Sequence, residues 1–347
     1  MTRVLSITSI RNEGPFLLEW LAWMRMIGVS DFAIASNDCQ DGSDAMLAAL
    51  DAAGVVHHLP HEPTPGKSIQ WQALQLGWRH PARKAADWVM ISDVDEFPVI
   101  HAGAGHLADL FAAIPDGTEA VAMPWRLFGH DGRLTFEDSP VTAQFLRSAP
   151  PDVQHPIAAT FFKSLFRPAA VARFGVHRPR QHPDRPAPLW VDGSGRPLPP
   201  HIAGDGGRMS LLGTGPARDL VEMHHYSTRS AEAFLVKAAR GLPNRRHKAV
   251  DLHYWIERNF NSVENTAALR HQDTLAQGIA ALKALPGVAD LHDRAVAWHR
   301  DQIAQALRSP DSYRLFGALC HAAGSAVLPP AMERRLLILF GQLDRDE

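Results

Sequence analysis

The densest set of chemistry-bearing side chains is Asp93-Val94-Asp95-Glu96-Phe97, three carboxylates in four positions directly after the apolar run Trp88-Val89-Met90-Ile91. Unpaired, this much negative charge repels itself and raises at least one pKa. A divalent cation relieves the repulsion, and oxygen donors select Mg²⁺ or Mn²⁺, which take one or two carboxylates together with substrate phosphates. The competing use is structural, with Asp93 and Glu96 capping the next segment or pairing with arginines. Histidine is abundant, at 19 in 347 residues, but most have no second ligand at metal spacing. His57, His58 and His61 follow one strand-like run, and His292 and His299 fall on a tail helix. Cys39 and Cys320 make neither a disulfide scaffold nor a four-thiolate zinc site, and fit a reducing compartment.

The elements that position the carboxylates are short β-like runs alternating with amphipathic helices. Val4–Ile10 predicts a buried strand, Gly14-Pro15 opens a helix that Gly28 stops, and Phe32-Ala33-Ile34-Ala35 predicts a second strand. A helix over 43–53, a third strand from Val55-Val56, a helix over 69–79 and a fourth strand over 88–92 follow. This repetition means βαβ units and an α/β fold with a mostly parallel sheet covered on both faces. Ligands of such sheets bind beyond the carboxyl ends of the strands, where Asp93 follows the fourth. Residues 176–218 are too rich in Pro and Gly for long elements and predict a functional loop or mobile lid. The division expected is a domain over 1–230 and a helical extension over 231–347, with helices at 230–240, 265–284, 288–307 and 330–343.

Charge is unevenly spread behind a net of −2. Residues 1–100 carry 12 acids against 7 bases, and residues 163–250 carry 15 bases against 6 acids. The acidic part suits a cation and the basic part suits phosphates, or the two complement each other across one surface. Because the bases are scattered rather than striped along a helix, nucleic acid is not an expected partner. The opening Met1-Thr2-Arg3-Val4 has no apolar leader and no run reaches a membrane-spanning length, so the expectation is a soluble cytoplasmic protein; peripheral contact of the C-terminal helices with the inner face of a membrane stays open, with the net acidic tail counting against anionic lipid.

Taken in order, several motifs resemble GT-A-fold glycosyltransferases of the family-2-like and family-92-like group, including bacterial family 2 proteins. They are Arg11-Asn12-Glu13-Gly14 with Glu19-Trp20, Asn37-Asp38-Cys39-Gln40-Asp41-Gly42-Ser43, the Asp-x-Asp-Glu-Phe cluster, and Trp125-Arg126-Leu127-Phe128-Gly129. Lys163-Ser164-Leu165-Phe166-Arg167-Pro168 and His225-Tyr226-Ser227-Thr228-Arg229-Ser230, with Lys237 and Arg240-Gly241, complete the set over residues 4–241. The resemblance implies a metal-dependent transfer of a sugar, of the hexosyltransferase type, from a UDP- or GDP-sugar to a hydroxyl of a glycan or lipid-linked acceptor. Inversion is implied, and the setting is surface polysaccharide or glycoconjugate synthesis. Mn²⁺ or Mg²⁺ would be held by Asp95, with Asp93 facing the ribose or a metal-bound water and His225 completing the site, ahead of His177. Asn12, Glu13 and Asp38 would line the nucleotide pocket.

Such a mechanism needs cations on the leaving diphosphate, for which Arg126, Lys163, Arg229 and Lys237 are candidates, each equally able to be an ordinary solvated base. It also needs a base for the acceptor hydroxyl, and Glu137, Asp138, Asp184 and Asp192 stay open for that role. Trp125 and Trp190, in loop-like context, are candidates for stacking on a sugar, with core packing the safer reading of Trp125. The stretch from Asp251 through Asn261 resembles an extension of bacterial members, suited to acceptor binding or oligomer contact. Two other classes compete. A haloacid-dehalogenase-like phosphatase shares the Asp-x-Asp after a strand, but has Thr or Val where Phe97 stands and uses the first strand of its domain. A non-catalytic nucleotide-sugar-binding scaffold is the other, against which the intact acid cluster counts.

Overall fold

A computed structural model describes residues 2–241 and 250–343. Arg245, Arg246 and Lys248 of the basic stretch therefore lie outside the described residues. The chain begins with β1 (Val4–Ile10), α1 (Gly14–Met26), β2 (Asp31–Ser36), α2 (Ser43–Ala52), β3 (His57–Pro60), α3 (Ile69–Arg79), α4 (Ala82–Ala85) and β4 (Trp88–Ile91). It continues with β5 (Glu96–Ile100), α5 (Leu107–Ala113), β6 (Ala120–Leu127), α6 (Val141–Gln144), β7 (Arg147–Ser148), β8 (Phe162–Phe166), β9 (Trp190–Val191) and α7 (Pro200–Ala203). The last elements are β10 (Val221–His225), α8 (Ala231–Arg240), α9 (Leu252–Ile256), β11 (Val263–Glu264), α10 (Gln272–Lys283), α11 (Val288–Ala306), α12 (Pro310–His321) and α13 (Pro330–Gln342).

The main sheet runs β3-β2-β1-β4-β8-β6-β10-β5, with β9 beside β6. β3, β2, β1 and β4 are mutually parallel, as are β6, β9 and β10, while β8 and β5 run antiparallel to their neighbours. The expected mixed α/β architecture with a mostly parallel sheet is present. All the parallel strands end along one edge, so the loops after β1, β2, β4, β6 and β10 converge there.

Side chains alternate between the two faces. Val4 and Ile10 of β1 join a core formed with α1, α2, α5, α10 and α11, whereas Leu5 and Ile7 face α3 and the irregular chain beyond β8. Residues 176–218 hold little regular structure, as their composition predicts. Trp190, Leu198, Ile202 and Leu211 are nevertheless buried against the sheet, which makes the segment a packed wall instead of a lid. Core packing also crosses residue 230. Leu275, Leu282, Val288 and Ala295 sit in the same cluster as Leu17 and Trp20 of α1, while Phe234, Tyr254, Trp255 and Leu319 form a small cluster of their own.

Local chemistry accounts for the boundaries. Pro15 supplies the first turn of α1, whose Gly14 N–H donates to Asp41 at 2.8 Å. Ser68 caps α3 and Ser230 caps α8 by accepting from the backbone N–H three residues on. The third strand starts at His57, later than its valines suggest, because Val55 N–H bonds Leu50 O at 2.9 Å to close α2, with Gly54 at φ +70°.

Candidate active site

Between β4 and β5 the chain spans only Ser92–Asp95, although β8, β6 and β10 lie between those strands in the sheet. This short linker lies over the ends of the three intervening strands, and together with Glu96, the first residue of β5, it touches each in turn. Asp93 Oδ2 meets Lys163 Nζ of β8 at 3.0 Å. Glu96 Oε1 accepts from Trp125 Nε1 of β6 at 3.1 Å. Asp95 O accepts from Tyr226 N–H at 2.9 Å, just after β10, and Asp95 Oδ1 stands 3.6 Å from His225 Nε2. From α1, Trp20 Nε1 donates to Glu96 O at 3.2 Å and Trp23 Nε1 to Pro98 O at 2.9 Å, fixing the far end.

The three carboxylates have different fates. Glu96 is fully buried and saturated, since its Oε2 also accepts from Asp93 N–H at 2.9 Å and faces Lys163 Nζ at 3.1 Å. Burial pushes its carboxyl up to about 8, helped by the charges of Asp93 and Asp95 and opposed by Lys163 and the Asp93 N–H, which favour the ionised form. Asp93 is the open one, its side chain 37% exposed, and it also accepts from Gln70 Nε2 at 3.1 Å. Asp95 receives Lys237 Nζ at 2.9 Å. Burial works to raise the Asp95 carboxyl, but Lys237 and His225 outweigh it and hold it well below the usual range. Burial lowers His225, opposed by the neighbouring Asp95. Its ring lies 4.1 Å from that of Trp125, and its Nδ1 is buried with no hydrogen-bond partner among the described residues.

These groups form the floor of a cleft of about 1570 Å³ whose lining includes Glu13, Asp38, Asp93, Asp95, His225 and Lys237. Glu13, just past β1, is clamped by Arg229 Nη1 at 3.1 Å and by Arg240. Burial works to raise Glu13, and the two arginines overcome it. Arg229 stacks over Phe16 at 3.5 Å, with its Nε and Nη2 unpartnered among the described residues. Three residues at this edge, Asn12, Asp38 and Arg229, are non-glycine residues with φ of 55°, 48° and 52°. Such backbone is sparsely populated and collects at sites where the surroundings over-determine the chain. Asn12 itself is buried, accepting Gln40 N–H at 2.7 Å.

Other expected site residues are elsewhere. Lys163 does not reach the cleft, being wholly buried beneath Asp93 and Glu96. Arg126 points to the opposite side of β6 from Trp125, where it pairs with the buried Glu222 at 3.1 Å and donates to Ala149 O. None of the base candidates lines the cleft. Glu137 pairs with Arg133 at 3.4 Å, Asp138 with His292 at 3.1 Å, Asp192 holds the turn at Ser194 and Arg196, and Asp184 is exposed. Trp190 is core, and Trp125 lines the cleft with its indole N–H used by Glu96. His177 does line the cleft, its Nδ1 3.1 Å from Phe162 O. Arg240 is the cation that sequence reading left without a role. Its signal is the spacing from Lys237, which puts both on one face of α8.

Among the described residues, no group of three or more His, Cys, Asp or Glu side chains stands at metal-ligating distances. Asp95 and His225 are a donor pair, and the buried Nδ1, without a partner among the described residues, marks an imidazole not committed to other structure. That set fits a cation sharing its shell with substrate phosphates, not one held by protein alone.

No family model matches the sequence. A glycosyltransferase family 92 protein of Oryza sativa subsp. japonica is 30% identical over 93 residues, covering 26% of this chain and 15% of the relative. A glycosyltransferase family 92 protein of Ricinus communis is 32% identical over 96 residues, covering 26% and 16%. The matched part thus spans about a sixth of the length of these curated relatives. Among solved structures, the mannosyltransferase PcManGT from Pyrobaculum calidifontis in complex with GDP-Man and Mn²⁺ is 14% identical with a TM-score of 0.35, over 99% of this chain and 88% of that one. Residues 1–349 of S. aureus TarS in complex with UDP-GlcNAc are 13% identical with a TM-score of 0.35, over 90% and 92%. Likeness of that size leaves the fold to be read from this chain's own sheet.

Proposed function

We propose that the chain is a GT-A-type glycosyltransferase of the family-92-like and bacterial family-2-like group, moving a sugar from a nucleoside-diphosphate donor to an acceptor hydroxyl. The observation that carries this reading is the placement of Asp93, Asp95, His225 and Lys237 together on the floor of one large cleft, at the strand ends. The partial resemblance to family 92 proteins supports it.

In this reading Asp95 and His225 hold Mn²⁺ or Mg²⁺, which supplies Lewis-acid stabilisation of the leaving diphosphate. Lys237 and Arg240 offer the diphosphate further positive charge, and Glu13 holds Arg240 at the cleft, while Arg229 braces Glu13 from behind, outside the cleft lining. Lys163 acts from below, holding Asp93 and Glu96 in place. Asp38, at the exit of β2, faces the nucleoside end. For an inverting hexosyl transfer the base belongs to the groups that line the cleft, not to Glu137, Asp138 or Asp192. UDP- and GDP-sugars, a glycan or lipid-linked acceptor, and a place in surface polysaccharide or glycoconjugate synthesis complete the proposal.

Thermal melts with UDP and GDP, each with Mn²⁺, Mg²⁺ or EDTA, test it. The expected outcome is a raised melting temperature only with a cation present, lost in Asp95→Asn, because a ligand that binds only the folded state stabilises it by mass action. Equal shifts in EDTA sink the shared-shell metal site. Binding without any transfer or hydrolysis across a panel of nucleotide sugars favours the scaffold, and hydrolysis of a phosphomonoester alone favours the phosphatase.

A further inference from the structure

Among the described residues, five carboxylates line the cleft, and four of them are bound to cations. Glu13 lies between Arg229 and Arg240, Asp93 meets Lys163, Asp95 meets Lys237, and Glu257 meets Arg258 at 2.7 Å. A cation partner weakens a carboxylate as a proton acceptor. The fifth, Asp38, follows β2, four strands along the sheet from β6. Imidazoles are the other side chains there that accept a proton near neutral pH. Besides His225, these are His155, His177 and His253. His253 is 73% exposed in a pair with Glu257, and His155 is tied through its backbone N–H to Glu333 of α13 at 2.9 Å.

His177 differs from these in being oriented by the sheet. Its Nδ1 is 3.1 Å from Phe162 O, and its own carbonyl accepts from Ser164 Oγ at 2.6 Å, so β8 holds both ring and backbone. A carbonyl only accepts, which places the hydrogen on Nδ1 and, in the neutral ring, the lone pair on Nε2. An imidazole held in one tautomer by a third group is the arrangement that activates a hydroxyl. The ring packs on Trp125 at 5.2 Å and on Phe161 at 5.8 Å, and Trp125 in turn meets His225 at 4.1 Å. One indole therefore joins His177 to the Asp95–His225 pair.

We propose that His177 is the general base that takes the proton of the acceptor hydroxyl, a role that rests on the transfer reading above. With the diphosphate beside His225, the indole of Trp125 is the surface left for the sugar. His225 and His177 both border that indole, one for the leaving group and one for the attacking oxygen, which inversion brings in from opposite sides of the anomeric carbon. In the step, the acceptor O–H bond breaks, its proton passes to Nε2, and the oxygen's electron pair forms the bond to the anomeric carbon. The bond from that carbon to the diphosphate oxygen breaks, and its electron pair leaves with the diphosphate, whose charge Lys237 and Arg240 face. The imidazolium then gives its proton to water.

Release of UDP or GDP from a panel of their sugars, with water as the acceptor, tests this before any acceptor is identified. On each donor that the wild type turns over, His177→Ala should be slower by about a hundredfold or more, and imidazole added to the buffer should recover part of the loss. His177→Asn, whose amide still donates to Phe162 O, should melt with the wild type and be as slow as His177→Ala. The rise in melting temperature with nucleotide and Mn²⁺ should be the same in both variants as in the wild type, because the base does not hold the donor. Release by His177→Ala within about threefold of the wild type overturns the base alone. So does a lost nucleotide–Mn²⁺ shift in His177→Asn, which would make His177 a donor or metal contact, or a rate that imidazole leaves unchanged. A wild type that releases nucleotide from no donor of the panel overturns the transfer reading, and the base falls with it.

Discussion

Lys163 and Glu96 meet at 3.1 Å with neither side chain exposed to solvent, directly beneath the carboxylate that opens the cleft. Removing Lys163 leaves the buried Glu96 carboxyl, already pushed up to about 8, with an unfilled polar cavity beside it, and takes from Asp93 its lysine as well. Lys163→Met is expected to cost about 3–5 kcal/mol in urea unfolding, and Lys163→Met/Glu96→Gln to cost less than the single change. A double variant as unstable as the sum of both single variants would show that the two side chains do not act as a pair.

Lys237 neutralises Asp95 from within the protein and so competes with any cation from outside. Lys237→Met should therefore let Mn²⁺ alone, without nucleotide, raise the melting temperature more than it does in the wild type. On the function proposed above, the same variant should lose activity, because that reading assigns Lys237 to the diphosphate. A Mn²⁺ response no larger than that of the wild type would count against Asp95 as a ligand.

His299 is buried between Phe16 and Phe136, at ring distances of 5.6 and 4.5 Å, and neither ring nitrogen has a hydrogen-bond partner among the described residues. Burial, helped by Arg229, lowers its pKa to about 3. Below its ordinary pKa of about 6.5, the unfolded chain takes up a proton that the folded one refuses, so stability falls with pH from there towards 3. Each unit in that window costs at most ~1.4 kcal/mol. His299→Leu should flatten the acid limb of a stability–pH curve between roughly pH 6 and pH 4.

A Cβ at Gly14 would come within 2.5 Å of Ala295 Cβ on α11 and 2.9 Å of Asp41 Oδ2. Gly14→Ala should destabilise by about 1–3 kcal/mol through overpacking, although alanine is the better helix former. Gly14→Ala with Ala295→Gly should recover part of the loss in denaturant midpoints.

Glu137→Gln, Asp138→Asn and Asp192→Asn should each keep transfer activity within about threefold of the wild type, because none of the three lines the cleft. A loss of about a hundredfold or more in any of them, the size expected of a missing general base, would restore that residue to the reaction.

The contrast between these carboxylates and Asp95 shows what the chain makes legible. The bounds of β1 and α3 follow from periodicity and caps, and the acid cluster follows from its place after an apolar strand. Arg126 was misjudged because strand alternation says that Trp125 and Arg126 face opposite ways but not which way is the cleft. Glu137 and Asp138 lie soon after the Trp125–Gly129 motif in sequence, yet their partners are Arg133 and a histidine 154 residues away. Lys163 reads as a surface cation until the fold brings it to Asp93, 70 residues earlier. Contacts at that separation are decided by sheet order, which local pattern does not encode.

The linker Ser92–Asp95 also sets the shape of the sheet. From β4 to β5 is four strand spacings, about 19 Å if the sheet were flat. Five residue steps reach at most ~18 Å fully extended, and this segment turns on itself, with Glu96 N–H bonded to Asp93 O at 3.0 Å. The sheet must therefore roll up along this edge, like a half-closed barrel drawn in by a short tie. The width between the lysine under Asp93 and the histidine beside Asp95 is then governed by backbone contour length, so inserting even one residue into the tie would open the roll and part the donors.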